Sequence, residues 1–352
     1  MRSHAGKIAI SLGLTAVLLY FFFRGLDARE LKAHILSASP GWLAASLVLG
    51  LGTFVLRAIR WTWFLRPLAR VPIFPAFRAT AIGFAANNLP GKVGEVLRPA
   101  ILARSQKLPF SPLLASVALE RVFDGASVIF YLLLALWLEP SRRASLGLIG
   151  ILPAAVLVAL VLVTIFAVFR RAATERFFEK IWRRLPTRIQ PRVEAFAVTF
   201  IDGLASLKSP GLLAAITAGS LAMWLVINVQ IYSVLRAFRL DLPLSASYIV
   251  TAAAVLGLAV PTPGGLGSYQ AAVAETLKKV FAVGEYAAKG VAIVAWLTSF
   301  VLITGIGVAL LLFSGKERAL ARAAEKLAES RETENGKRKT TGGDEPRARG
   351  SR

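Results

Sequence analysis

Six apolar runs, at residues 8–23, 41–56, 113–138, 146–169, 211–235 and 287–313, decide what this chain can fold into. Each approaches or exceeds the roughly 20 residues that carry a helix across about 30 Å of hydrocarbon. The expected fold is all-α, a polytopic transmembrane helical bundle. Composition agrees: 56% of the 352 residues are hydrophobic and the mean hydropathy is +0.62, against about 45–50% apolar residues in a soluble domain. The first run follows Arg2 and Lys7 as in a signal peptide. No small-x-small cleavage site precedes Asp27, so the expectation is an uncleaved first helix.

A formal charge of +22 in such a chain is explained by topology and by attraction to anionic headgroups. Nucleic acid is not an expected partner, because no basic stretch comes with a reading module. Lys and Arg gather on the cytoplasmic side of membranes, which places the N-terminus inside, residues 24–40 outside, and the stretch holding Arg57, Arg60, Arg66, Arg70 and Arg78 inside. Residues 170–208 carry nine basic against four acidic residues, interspersed with Phe177, Phe178, Ile181, Trp182 and Leu185. They suggest amphipathic helices on the cytoplasmic surface, with a solvated basic loop as the alternative for the second half. The domain organisation expected is one membrane unit over 1–313 and a basic cytoplasmic tail over 314–352, whose end is too polar to bury a core.

Parity adds a further expectation. Residues 72–107 begin and end inside, and 243–286 begin and end outside; each is apolar and broken by Pro and Gly, at NNLPGKVGE and PTPGGLG. Such segments read either as re-entrant hairpins or as full hairpins turning at the far surface. Irregular backbone at membrane depth needs protein or a wet cavity beside it, and two broken segments in corresponding halves point to a transporter site between inverted repeats.

Chemistry is concentrated in the run beginning SPLLASVALERVFD. A charge at the centre of a membrane helix costs roughly 2.5–3.5 kcal/mol, and Glu120, Arg121 and Asp124 are three of them. Ser111 and Pro112 are placed as N-cap and first helical residue. Glu120 and Asp124 then share a face at i,i+4, with Arg121 able to pair with Asp124. The trio carries one net negative charge, so another cation is expected nearby: Arg57 and Arg60, which end the second helix, or Arg98. These guanidinium groups could bind a phosphate or carboxylate in bidentate fashion; a structural ion network with snorkelling arginines is the alternative. Glu95 belongs with Arg98 beside the first break. Asn87 and Asn88 are expected to satisfy backbone groups freed there. In the second break, Pro261 and Pro263 end one arm, and Gly264, Gly265 and Gly267 allow positive φ. A helix from Ser268 would offer its N-terminus as an anion site, or the stretch is a plain tight turn.

Zero Cys and two His, His4 and His34, remove thiol chemistry and histidine-based metal sites. No metal or cofactor is signalled. A nucleophile elbow, a P-loop, a dinucleotide fingerprint and a zincin helix are all missing, so the chain reads as a non-enzyme.

RAIRW, NNLPGKVGEVLRPAIL, LERVFD and PTPGGLGSYQAA, in that order, resemble the flippase-like transmembrane domain of lysylphosphatidylglycerol synthases, in its stand-alone form, over about residues 5 to 313. The resemblance implies a plasma-membrane protein that translocates or positions lipids. It maps functional positions onto Arg57, Arg60, Asn88, Gly94, Glu95, Arg98, Glu120, Arg121, Asp124, Pro263, Gly264, Gly265 and Gly267. Two departures stand out. Gln270 replaces a Glu usual after the Gly-rich turn, and Ala295-Trp296-Leu297-Thr298 stands where the last helix usually offers an Arg. Losing one acid and one base together implies a lost internal pair. No aminoacyl-transfer domain follows residue 313, so lipid aminoacylation by this chain alone is not expected.

The sequence therefore predicts movement or binding of anionic phospholipid or lipid-linked headgroups between leaflets. Its partners would be membrane lipids, with a homodimer or a lipid-modifying enzyme beside them. The rivals are a membrane-embedded lipid- or polyprenyl-linked transferase using Glu95, Glu120 or Asp124 as base, and an accessory or scaffold protein of envelope lipid synthesis.

Overall fold

The computed structural model describes residues 2–88, 93–142 and 209–313, together with the isolated residues 179, 190, 194 and 315. Apart from those four residues, the run 146–169, the basic segment 170–208, the turn at 89–92 and the tail from 314 onward thus lie outside the described residues. Among the described residues every regular element is helical.

Helix α1 (Arg2–Phe23) is followed by α2 (Ala28–Leu36), a short amphipathic helix capped by the Asp27 side chain. The Ile10–Phe23 part of α1 and α2 are bent 84° to one another. The sequence reading missed α2 and left residues 24–40 without structure. Helix α3 (Pro40–Leu65) runs through Arg57 and Arg60 rather than ending at them, correcting the expected boundary. A hairpin of α4 (Ile73–Asn87) and α5 (Gly94–Gln106) comes next. Helix α6 (Phe110–Leu138) begins at Phe110 after an extended Pro109, so Ser111 and Pro112 lie within its first turn and not at its cap. A short 3-10 turn follows at Pro140–Arg142.

The second half repeats the order of long helix, broken pair and long helix. Helix α7 (Pro210–Ala237) is capped by Ser209, whose Oγ accepts from the Leu212 N–H. Helix α8 (Leu244–Ala259) stops before Pro261 with Val260 in extended backbone, as the residue preceding a proline tends to be. A 3-10 turn (Pro263–Gly265) and α9 (Ser268–Phe281) complete the pair. Helix α10 (Glu285–Trp296) passes into a π turn (Leu297–Val301). Residues 1–307 form one compact unit. Residues 308–313, in the second, are helical and mostly exposed.

Among the described residues, four helices are long and apolar enough to cross a membrane: α3, α6, α7 and the span Glu285–Phe313; the bent pair α1–α2 makes up to five. The arms of the two broken pairs are shorter, at 15 and 13 residues in the first and 16 and 14 in the second. At 1.5 Å per residue they reach about 20–24 Å, less than the roughly 30 Å of hydrocarbon.

Close approach defines each pair. A Cβ on Gly94 would collide with the carbonyl oxygen of Gly83, and one on Gly83 would sit 2.8 Å from the Arg98 Cβ. In the second pair, a Cβ on Gly257 would lie 2.7 Å from the Ser268 carbonyl oxygen. The two tips also meet. Asn88 donates to the Thr304 hydroxyl and lies against Gly264, where an added Cβ would stand 2.8 Å from its Oδ1. Its amide thus ties the first break to the second and to the last helix. Apolar packing flanks the charged centre on both sides: one buried cluster includes Trp61, Phe64, Leu102 and Leu119, and another includes Trp224, Ile231, Val273 and Val291.

Candidate functional site

Asp124 is the middle residue of the 29-residue α6, the depth at which an unpaired charge costs most. It is not unpaired. Arg57 Nη1 donates to its Oδ2 at 2.9 Å, Arg60 Nη2 to its Oδ1 at 2.6 Å, and Trp224 Nε1 to the same Oδ1 at 3.1 Å. One turn earlier on α6, Glu120 receives Arg98 Nη1 at 2.5 Å and Arg60 Nη2 at 3.4 Å. Arg60 therefore bridges both carboxylates, and its Nη1 also donates to Ser220 Oγ at 2.8 Å. Arg98, 2% exposed, places its Cζ over Trp61, 3.8 Å from the ring centroid, a cation–π contact. Arg121 closes the outer edge, 3.4 Å from both Glu95 Oε2 and Asp124 Oδ2. Asn87 Nδ2 steadies Glu95 at 3.3 Å.

The cation expected beside the acidic pair is thus three cations, Arg57, Arg60 and Arg98. With Arg121, four guanidinium groups face three carboxylates and leave one positive charge in the cluster. Donors are in surplus too. Arg57 Nε, Arg60 Nε, Arg98 Nε and Nη2, and Arg121 Nη2 are buried and make no hydrogen bond among the described residues.

A cavity of about 500 Å³ opens beside this network, between α3, α6, α7, α8 and the π turn. Of the thirteen positions carried over by resemblance, Arg57, Glu95, Arg121 and Asp124 line it. Arg60, Arg98 and Glu120 are buried behind that wall, with Glu120 fully buried, so these three position the others and do not face the cavity. Glu120 and Asp124 do share a face, as their i,i+4 spacing required, since Arg60 reaches both, but only Asp124 lines the cavity. Arg121 and Glu95 are the most exposed members, with 39% and 35% of their side chains accessible. The remaining wall is mostly apolar, including Phe54, Phe84, Ile231 and Phe300.

Asn88 and Gly94 build the first break and its close crossing and do not line the cavity. Pro263, Gly264, Gly265 and Gly267 form the second break, also off the cavity wall. Their positive φ values, 57° at Gly264, 70° at Gly265 and 82° at Gly267, are as the turn reading required. The anion-site reading of the following helix meets a packed turn instead. The Gly267 N–H donates to Gln270 Oε1 at 2.7 Å, Ser268 and Gln270 are buried, and a Cβ on Gly267 would be 2.8 Å from Leu18 of α1. The two departures from the family pattern meet at this turn. Gln270 caps it from one side, and Trp296 Nε1 donates to the Gly264 carbonyl oxygen at 2.8 Å from the other. Both are neutral hydrogen bonds, and Ser11 Oγ donates to the Pro261 carbonyl oxygen at 2.7 Å beside them.

Sequence reasoning missed Trp224, Ser220 and Trp61, the neutral partners of the charged centre. An indole N–H in the middle of a membrane helix needs an acceptor, and that need was the available signal for Trp224.

What fold and site define is a multi-pass helical membrane protein with a buried arginine–carboxylate network at the edge of an internal cavity. The chain belongs to the family described as the lysylphosphatidylglycerol synthase TM region, which matches residues 8–307. It is also similar to a UPF0104 membrane protein of Methanothermobacter thermautotrophicus, with 25% identity over 354 residues covering 90% of this chain and 96% of that protein.

Proposed function

We propose that this protein lets the headgroup of an anionic lipid cross between leaflets while its acyl chains stay in the bilayer. One observation carries the reading: a cavity of about 500 Å³ whose wall joins Arg57, Glu95, Arg121 and Asp124 to an apolar remainder. A network with one surplus positive charge that sets Arg57 and Arg121 on the cavity wall suits a phosphate, which takes several N–H donors at once. The arms of α4/α5 and α8/α9, each shorter than the membrane, support two re-entrant pairs entering from opposite faces. In this reading the protein sits in the plasma membrane with both termini cytoplasmic, 1–313 is the working unit, and 314–352 is a cytoplasmic tail. Its partners are membrane lipids, together with a second copy of the chain or an enzyme that modifies those lipids. No ATP-binding motif is found in the sequence, so exchange follows the lipid gradient or an ion gradient.

The test is leaflet exchange of a fluorescent phosphatidylglycerol in proteoliposomes. The wild type accelerates exchange without changing the lipid, and Arg121→Gln slows it roughly tenfold or more, from the about 1.5–3 kcal/mol of a charged hydrogen bond. A new covalent lipid product would favour the transferase instead. Exchange equal to empty liposomes would sink the proposal.

A further inference from the structure

The chain turns through 84° between the Ile10–Phe23 part of α1 and α2. Gly25, at φ 75°, supplies the left-handed backbone that glycine takes without strain, and the Leu26 N–H closes the turn on the Phe23 carbonyl oxygen at 3.2 Å. The inside of this elbow holds a second cavity, of about 300 Å³, whose lining includes Phe23, Leu26, Leu31, Ile35, Leu36 and one charged residue, Lys32. Positions 28, 31, 32, 35 and 36 recur at helical spacing, so α2 turns one face to this groove. Leu36 at its rim is 72% exposed. The other side of α2 is fixed to α10: the Asp27 N–H donates to the Tyr286 hydroxyl at 3.3 Å, and His34 stacks on the Tyr286 ring. Tyr20 in the last turn of α1 and Trp42 in the first turn of α3 flank the elbow and are exposed; these are the ring types that gather at headgroup level. Arg24, Arg29 and Lys32 of the elbow have no carboxylate partner among the described residues. Asp27 caps the Arg29 N–H at 2.7 Å, Glu30 faces the Tyr286 hydroxyl, and Glu285 of α10 is taken by Lys278 and Lys289.

We propose that this elbow is the seat of a resident bilayer phospholipid, with one acyl chain laid in the groove and its phosphate held by Lys32 and Arg29. Two observations name that occupant. The groove continues the exposed apolar surface of a membrane helix, on which Phe21 and Phe23 are open, and a short amphipathic helix with basic residues lies in the plane of the interface. Its free charges are all positive, and Arg29 and Lys32 stand at i,i+3 on α2, about 5–6 Å apart at Cβ, close enough for one phosphate to meet both. The site is separate from the cavity beside Asp124, since no residue lines the two. It therefore does not depend on the exchange function: the elbow keeps a lipid in place and pins α2 to the interface.

Bimane fluorescence tests this in proteoliposomes, one label at a time: on Leu36→Cys at the groove's rim, and on Ala33→Cys outside the groove face. The quenchers are phosphatidylcholine and phosphatidylglycerol, each with a nitroxide near the top of one acyl chain. The Leu36 label should be quenched more than the Ala33 label. It should reach half-quenching with about fivefold less phosphatidylglycerol than phosphatidylcholine, equal to about 1 kcal/mol, the pull of one basic residue on an anionic surface. The Ala33 label should not tell the two lipids apart. Arg29→Gln with Lys32→Gln makes the lipids equal at Leu36, and Arg29→Lys with Lys32→Arg keeps the preference. A Leu36 label quenched no more than the Ala33 label, equal half-quenching by both lipids, or a preference that survives the double Gln variant overturns the site. So does a Leu36 label shielded from both lipids while Leu36→Cys cross-links between copies, which would put a second copy in the groove. Should the double Gln variant fail to insert, the ratio with Arg29 and Lys32 intact decides alone. Leaflet exchange in the same liposomes tests the function proposed above separately.

Discussion

Replacing Asp124 with Asn tests whether the charged centre is a single electrostatic unit. The carboxylate accepts from Arg57 at 2.9 Å, Arg60 at 2.6 Å, Trp224 at 3.1 Å and Arg121 at 3.4 Å. Asparagine keeps one acceptor oxygen but turns an NH₂ donor towards guanidinium donors, and the cluster goes from one surplus positive charge to two. Two magnitudes compete. Interhelical hydrogen bonds in membranes average only about 0.6 kcal/mol, because the unfolded helices find other partners in the bilayer. Removing one member of a buried ion pair costs about 3–5 kcal/mol, because the surviving charge is left uncompensated. Arg57 and Arg60 are both nearly inaccessible, so the second magnitude governs, and Asp124→Asn should destabilise the protein by about 3–5 kcal/mol. Unfolding by SDS titration in mixed micelles measures it. The double variant Arg57→Met with Asp124→Asn returns the cluster to one surplus positive charge. It should cost less than the two single changes together, with a coupling within the about 0.5–3 kcal/mol seen for contacting residues. A change below about 1 kcal/mol for Asp124→Asn, or strict additivity in the double variant, would refute the single-unit account.

The remaining predictions concern the two breaks. Glycine to alanine inside a helix ordinarily stabilises by about 1 kcal/mol, but Gly94→Ala drives a methyl into the Gly83 carbonyl oxygen and should destabilise by about 1–3 kcal/mol; thermal unfolding in detergent would show the opposite sign if the α4–α5 crossing were looser. Trp296→Phe removes the bond to the Gly264 carbonyl at a cost of about 1 kcal/mol, and amide hydrogen exchange across the second turn should rise; unchanged protection would remove Trp296 as its support.

The helical class and the two breaks were legible because their signals are local. Long apolar runs announce α3, α6 and α7, and PTPGGLG places positive φ at Gly264, Gly265 and Gly267 where the chain adopts it. The charged trio on α6 was legible for the same reason, since i,i+3 and i,i+4 neighbours follow from helix geometry. Its partners were harder. Arg57 and Arg60 looked like the end of a membrane helix because unpaired arginine belongs at the interface. Pairing with residues more than 60 positions away lets α3 carry them inward to Leu65, and one sequence does not display such pairs. The division between Arg57, Glu95, Arg121 and Asp124 on the cavity and Arg60, Arg98 and Glu120 behind them depends on tertiary packing alone. Helix α2 escaped notice because its nine amphipathic residues, with one buried apolar side chain, are too short and too polar to stand out as an apolar run.

The account depends most on the cavity being wet and open to an anionic headgroup, and the chain's freedom from cysteine makes that directly measurable. Ile227→Cys and Val255→Cys place single thiols on the cavity wall, and Ala115→Cys places one in the packed apolar cluster beside Trp61. A charged, water-soluble methanethiosulfonate should modify the two cavity thiols, and more slowly in nanodiscs of phosphatidylglycerol than in zwitterionic ones, while Ala115→Cys stays inert. Cavity thiols no more reactive than Ala115→Cys, or modified at one rate whatever the lipid, would contradict it.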